Sequence, residues 1–181
     1  MSFEALSVWR HPRPEGAAGR CIGAGTDLPV NPRRAKRLAR RIQQVARRKR
    51  LPHWVVTSPL QRCADVGCWL RRWGWRQEMD AALRELDFGA WDGMAWANIG
   101  KAEIDAWVAD FATYAPGGGE PLTDLLARVA GFQTDAPFAV SHGGWMLVRR
   151  WLDKQGQALP VASAWPAPPA YSECWAFKRR P

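Results

Sequence analysis

The chain has 181 residues, 47% hydrophobic and 24% charged, an ordinary globular balance that excludes intrinsic disorder as its main state. Twenty-six Lys and Arg against 17 Asp and Glu give a formal charge of +9, so the surface attracts anions, whether nucleic acid, acidic lipid or phosphorylated metabolites. No apolar run approaches the roughly 20 residues of a membrane helix, and residues 1–8 lack the basic and long apolar regions of a signal peptide, so a cytoplasmic location is expected.

The length suits a single domain, 1–181, which can bury a core without disulfide or metal. Cys21, Cys63, Cys68 and Cys174 form no C-x-x-C pair and are expected as free thiols. A zinc site from His53, Cys63 and Cys68 is conceivable, but the spacing fits no common zinc pattern, and no metal is expected.

In chain order, Ala5 to Trp9 is short and apolar and reads as a buried strand. A Gly- and Pro-rich loop runs from Pro12 to about Asn31. Pro32 opens a helix with apolar Ala35, Leu38, Ala39, Ile42, Val45 and Ala46 at helical spacing. Trp54 to Thr57 is a second strand. Ser58, Pro59 and Gln61 predict a capping box that starts a helix running to about Trp73. Only weak structure is expected from Trp75 to Gly93. Helices over about 101–111 and 121–132 flank the turn Pro116-Gly117-Gly118-Gly119. Pro137 to Ser141 is a third strand, followed by a helix from Gly144 to about Lys154. A Pro-rich loop spans Gly156 to Ala170, and Cys174 to Lys178 is expected as a strand at the sheet edge. Alternating strands and helices predict a three-layer α/β/α sandwich on a mainly parallel sheet.

Three of these strands lead to chemically suggestive residues: Arg10-His11, Arg62 after the turn, and His142-Gly143-Gly144. In open α/β sheets, ligands bind beyond the carboxyl ends of the strands. Parallel strands would bring Arg10, His11, Arg62 and His142 to one rim. Alone, each is more often a solvated strand end or a structural residue. Together they make an anion pocket, because arginine forks match phosphate oxygens and histidine can attack phosphorus as a nucleophile.

At these residues the sequence resembles the histidine phosphatase superfamily, also called phosphoglycerate-mutase-like. Arg10-His11 resembles its R-H-G motif, and Thr57 to Arg62 its S-S-P-L-x-R motif. Glu85 to Gly93 is similar to E-x-x-F-G-x-W-E-G, Pro116 to Glu120 to P-G-G-E, and Ala139 to Gly144 to V-S-H-G-G. The five motifs fall in family order over about three-quarters of the chain. The resemblance implies a phosphoglycerate-mutase-like fold and a phosphatase that needs no metal or other cofactor. It implies that His11 becomes phosphohistidine, that Arg10, Arg62 and His142 bind the phosphoryl oxygens, and that Glu85 gives a proton to the leaving oxygen. It also implies that Arg20, Gly23, Trp91 and Gly143 lie at the substrate. The sequence departs from the family at Pro12, Arg13 and Pro14, at Ala17, where many members have a phosphate-binding Asn, at Asp92 and at Pro121.

The R-H-P opening and the Gly19-Arg-Cys-Ile-Gly23 sequence look most like bacterial α-ribazole-phosphate phosphatases of cobalamin synthesis. That implies a phosphorylated ribosyl-benzimidazole as substrate. Other specificities stay open: a sugar phosphate, a phosphoglycerate or a phosphoprotein. A closed, aromatic-lined pocket would favour a nucleotide-like metabolite, and an open one a phosphopeptide. Trp91, Trp96, Trp107 and Trp145 stand near the motifs, and a flat substrate could stack on one of them, although most tryptophans are expected in the core.

A rival class rests on residues 33–50, which hold ten basic residues and no acid. They would form a surface for nucleic acid or an anionic membrane. The apolar stripe of the same segment favours the solvated outer face of a packed helix, and without interleaved aromatics base stacking is unsupported. The expected partner is a small phosphomonoester, with neither nucleic acid nor membrane. The oligomeric state is left open, with a homodimer among the possibilities.

Overall fold

The computed structural model describes residues 5–156 and 158–179. Five strands form one sheet: β1 (Ala5–Arg10), β2 (Trp54–Thr57), β3 (Arg76–Met79), β4 (Phe138–Ser141) and β5 (Cys174–Lys178), in the spatial order β3-β2-β4-β1-β5. The first four are parallel, and β5 runs antiparallel to β1 at the edge. The helices are α1 (Pro32–Lys49), α2 (Gln61–Arg72), α3 (Lys101–Ala109), α4 (Leu122–Gly131) and α5 (Gly143–Gln155).

Strand alternation divides the core between two faces. Trp9, Val55, Phe138 and Val140 pack with Leu38, Ile42, Val66 and Leu70 of α1 and α2. Val8, Val56 and Ala139 pack on the opposite face with Leu125, Val129, Met146 and Val148 of α4 and α5. This is the expected α/β/α sandwich. In α1 the buried residues are Ala35, Leu38, Ala39, Ile42 and Ala46, so the basic segment is one face of a packed helix. Val45 is only half-buried. Among the described residues, no helix is long and apolar enough to cross a membrane.

Two local expectations are corrected. No capping box forms at Ser58 and Gln61: α2 starts at Gln61 after Leu60, with no side-chain cap. The Ser58 hydroxyl turns inward to His142, and the Gln61 N–H donates instead to Asp27 Oδ1 at 2.7 Å. The weak stretch after Trp75 contains β3. Its sequence Arg-Gln-Glu-Met is polar because an edge strand is covered only in part. Nor do the residues of the conceivable zinc site gather. His53 stacks on Trp75, Cys63 packs on His142, and no group of three or more metal-ligating side chains forms among the described residues.

Candidate active site

The register of the sheet builds the rim. Arg10 pairs with Ser141, so the chain leaves β1 at His11 and β4 at His142 side by side, and the His11 N–H donates to Ser141 O at 3.0 Å. The two imidazoles lie 5.0 Å apart between centroids. β2 ends next to them, with the Ser58 N–H donating to Val140 O. Arg62, in the first turn of α2, reaches back to His142. Arg10, His11, Arg62 and His142 are therefore brought together.

The hydrogen bonds fix both tautomers. His11 Nδ1 lies 2.7 Å from the Pro12 carbonyl, which can only accept, so Nδ1 carries the proton and Nε2 keeps its lone pair. Arg62 Nε donates to His142 Nδ1 at 3.2 Å, so the His142 proton sits on Nε2, 2.9 Å from Ser58 Oγ. Burial, then the Arg62 charge, holds both histidines well below the usual 6.5, and Arg10 adds to the effect. Both imidazoles are neutral. At His11, burial and Arg62 weigh more than the adjacent Arg10. Cys63 fills the space beside His142, and burial pushes its thiol up, so it stays protonated.

Arg62 is fully buried. It donates to His142, to Thr26 O and to Gly23 O, both at 2.8 Å. A guanidinium has five N–H donors, so donors remain for an anion. The Arg10 guanidinium donates to Pro169 O at 2.6 Å, and its buried Nε has no acceptor among the described residues.

Glu85 is buried, and its carboxylate accepts from Gly144 N at 3.0 Å and Leu86 N at 3.1 Å. Three side chains, Ser141, Arg128 and Glu120, hold the segment around it. Ser141 Oγ donates to Leu83 O. Arg128 donates to the carbonyls of Ala82 and Arg84 and pairs with Glu120. Glu120 in turn accepts from Asp87 N. The Pro116–Gly119 turn meets the same segment backbone to backbone, and a Cβ on Gly117 would stand 2.3 Å from Phe88 O.

Arg10, Glu85, Gly143 and Gly144 open onto a cavity of about 520 Å³. Apart from Arg10, Arg20, Glu85 and Tyr171, its walls are apolar, aromatic or glycine, with Phe88, Trp96, Trp107, Phe111 and Trp165 the large rings. Arg20 and Gly143, expected at the substrate, line it. Gly23 and Trp91 do not. Gly23 donates its N–H to Asp92 at 2.6 Å, its carbonyl accepts from Arg62, and a Cβ there would stand 2.5 Å from Leu86 O and 2.6 Å from Asp92 and Phe88. Trp91 is buried with Cys21 and Ile99, its indole N–H on Glu103. Trp145 is core as well. Trp165 and Tyr171 were missed, because they lie in a Pro-rich loop with no motif around them.

A strand-end pair of neutral histidines, two arginines and a buried carboxylate make a candidate anion site on an α/β fold. Residues 6–160 match the family model of the histidine phosphatase superfamily, branch 1. The chain belongs to that superfamily. It is 34% identical over 138 residues to a glucosyl-3-phosphoglycerate phosphatase of Mycobacterium tuberculosis, covering 66% of this chain and 60% of the relative. The chain thus spans less than two-thirds of that relative's length. The mycobacterial glucosyl-3-phosphoglycerate phosphatase solved with VO3 superposes with a TM-score of 0.73 at 27% identity, covering 96% of this chain and 92% of the other. A phosphoglycerate mutase from Thermus thermophilus superposes at 0.61 with 27% identity, covering 86% and 88%.

Proposed function

We propose that the chain is a phosphomonoesterase that works through a phosphohistidine and needs no metal. The observation that carries this reading is the His11 imidazole: buried, neutral, tied through Nδ1 to Pro12, with Nε2 free beside two arginines. In the first step Nε2 attacks phosphorus, a P–N bond forms and the ester P–O bond breaks. Glu85 gives its proton to the leaving oxygen. In the second step water attacks phosphorus and returns a proton to Glu85, the P–N bond breaks and inorganic phosphate leaves. Arg10 and Arg62 offer fixed N–H donors to the transferring oxygens, so stabilisation is electrostatic and already organised. His142 orients Arg62. For His142 to hold a phosphoryl oxygen itself, Nδ1 must exchange Arg62 for the substrate and carry a proton.

For the substrate, the reading is a small phosphorylated metabolite with a flat apolar portion, α-ribazole 5′-phosphate being the candidate. The Gly19–Gly23 sequence and the aromatic cavity both support it. The relatives' name points instead to glucosyl-3-phosphoglycerate, whose glucosyl hydroxyls would find few polar partners on these walls.

The test is hydrolysis of p-nitrophenyl phosphate in the presence of EDTA, with trapping of acid-labile, base-stable phosphoprotein. Wild type should turn over and label, and His11→Ala should do neither. α-Ribazole 5′-phosphate and glucosyl-3-phosphoglycerate then compete for the highest kcat/KM. Turnover that EDTA abolishes, or that survives His11→Ala, overturns the mechanism.

A further inference from the structure

The Pro-rich segment before β5 belongs to none of the motifs, yet it closes over the site. Ser172 N–H donates to the carbonyls of Arg10 and His11 at 3.1 and 3.3 Å, and Arg10 N–H donates to Glu173 O at 2.9 Å. The turn before β5 is tied twice more, Glu173 N to Ala170 O at 3.0 Å and Ala170 N to the Glu173 carboxylate at 2.5 Å. Arg41 of α1 holds Ser172 O from outside. Ser172 has φ 63°, the left-handed region that non-glycine residues rarely adopt. This bent backbone delivers one side chain to the rim. The Tyr171 ring lies 4.0 Å from Arg10 Cζ and 5.6 Å from the His11 ring.

We propose that Tyr171 is a positioning residue for the reaction, holding the Arg10 guanidinium at the phosphoryl site through its ring. The inference rests on the phosphohistidine reading above. Arg10 makes no ion pair among the described residues, although a carboxylate would be the ordinary way to hold a guanidinium. A carboxylate would also cancel the charge and occupy the N–H edge that a phosphoryl group needs. A ring does neither. The Tyr171 ring lies 4.0 Å from Cζ, takes no N–H donor of the guanidinium and keeps the charge. The Pro169 carbonyl takes one donor on Nη1 and fixes the rotation. Pro166, Pro168 and Trp165 of the same segment wall the cavity beside Leu147, so one stiff element orients the cation and bounds the leaving group.

The experiment compares wild type, Tyr171→Phe, Tyr171→Leu, Arg10→Ala and the double variant Arg10→Ala with Tyr171→Leu. Readouts are kcat/KM with p-nitrophenyl phosphate, orthovanadate affinity by tryptophan fluorescence, and thermal midpoint. Tyr171 is 38% exposed, so its loss leaves the core intact and the midpoint unmoved. Tyr171→Leu should lower kcat/KM and vanadate affinity together by about tenfold, the scale of a partly desolvated cation–π contact. Tyr171→Phe keeps the ring and should recover most of that loss. In the Arg10→Ala background Tyr171→Leu should change nothing further. The proposal is overturned if Tyr171→Leu matches wild type, if Tyr171→Phe falls as far, or if the loss persists without Arg10. Wild type that hydrolyses no ester defeats the phosphatase reading alone, because the vanadate cycle still reads the coupling of Tyr171 to Arg10.

Discussion

The Glu85 carboxylate occupies the space that a side chain on Gly144 would fill. A Cβ there would stand 2.3 Å from Glu85 Oε1, and the Gly144 N–H is itself a donor to Glu85 Oε2. The glycine thus clears the seat of the proposed acid and anchors it. Gly144→Ala should unseat Glu85 and lower kcat by about 100-fold, the low end of general-acid catalysis. The loss should be larger for an alkyl phosphate than for p-nitrophenyl phosphate, whose leaving group needs no proton. Equal losses on both substrates would separate Glu85 from leaving-group protonation.

Acid should destabilise the fold before most carboxylates titrate. His11 and His142 are held well below 6.5 in the folded state and return to about 6.5 when unfolded. Between those values the unfolded chain binds more protons, so stability is full above pH 6.5 and falls as pH drops below it. Two such groups give a slope approaching about 2.7 kcal/mol per pH unit. Urea midpoints from pH 7.5 to 5 measure it, and His11→Asn should remove about half the slope.

Asp92 ties two loops of the site. It accepts N–H bonds from Gly23 at 2.6 Å, Gly25 at 3.0 Å and Phe88 at 3.2 Å. Asp92→Ala should cost about 3 kcal/mol, because a charged acceptor of three amides, two of them part-buried, is lost. That is roughly 6 to 12 °C in Tm for a chain of this size. Gly23 also anchors Arg62, so KM should rise in the same variant. Thermal melts and Michaelis curves check the two effects separately.

Trp96 stacks parallel to Trp107 at 6.5 Å on the cavity wall and is 40% exposed. Trp96→Ala should lower kcat/KM about tenfold for a phosphomonoester with an aromatic leaving portion, the scale of one stacking contact. It should leave a small alkyl phosphate within about threefold on the same energetic scale. A uniform loss on both would place Trp96 in the scaffold instead.

The strands that form short, largely apolar runs were legible: β1, β2, β4 and β5 stand where the sequence puts them, within a residue or so. β3 was not, because Arg76–Met79 takes its pairing from β2 and shows no pattern of its own. The cluster of Arg10, His11, Arg62 and His142 was legible because all four lie at or just beyond strand ends, and the registers of β1, β4 and β2 then bring them together. Side chains that serve the site across the fold were not. Ser58 read as a helix cap because its local pattern is one. Tyr171 sits 160 residues from His11 in the sequence and reaches it only through the turn at Ser172. Trp96 and Trp107 carry no mark that separates a cavity wall from a core.

The place of β1 in the sheet sets the order in which the protein can form on the ribosome. Both of its neighbours, β4 and β5, come from residues beyond 137. At about 5–20 residues per second, β1 waits roughly 6 to 26 seconds with both edges unpaired until β4 is made. β2 and β3 can pair with each other early, but the sheet cannot join until β4 inserts between β2 and β1. Completion is therefore a late, long-range event. In that interval Leu6, Val8 and Trp9 are an exposed apolar segment, and they mark the part of the nascent chain where a holding chaperone would bind.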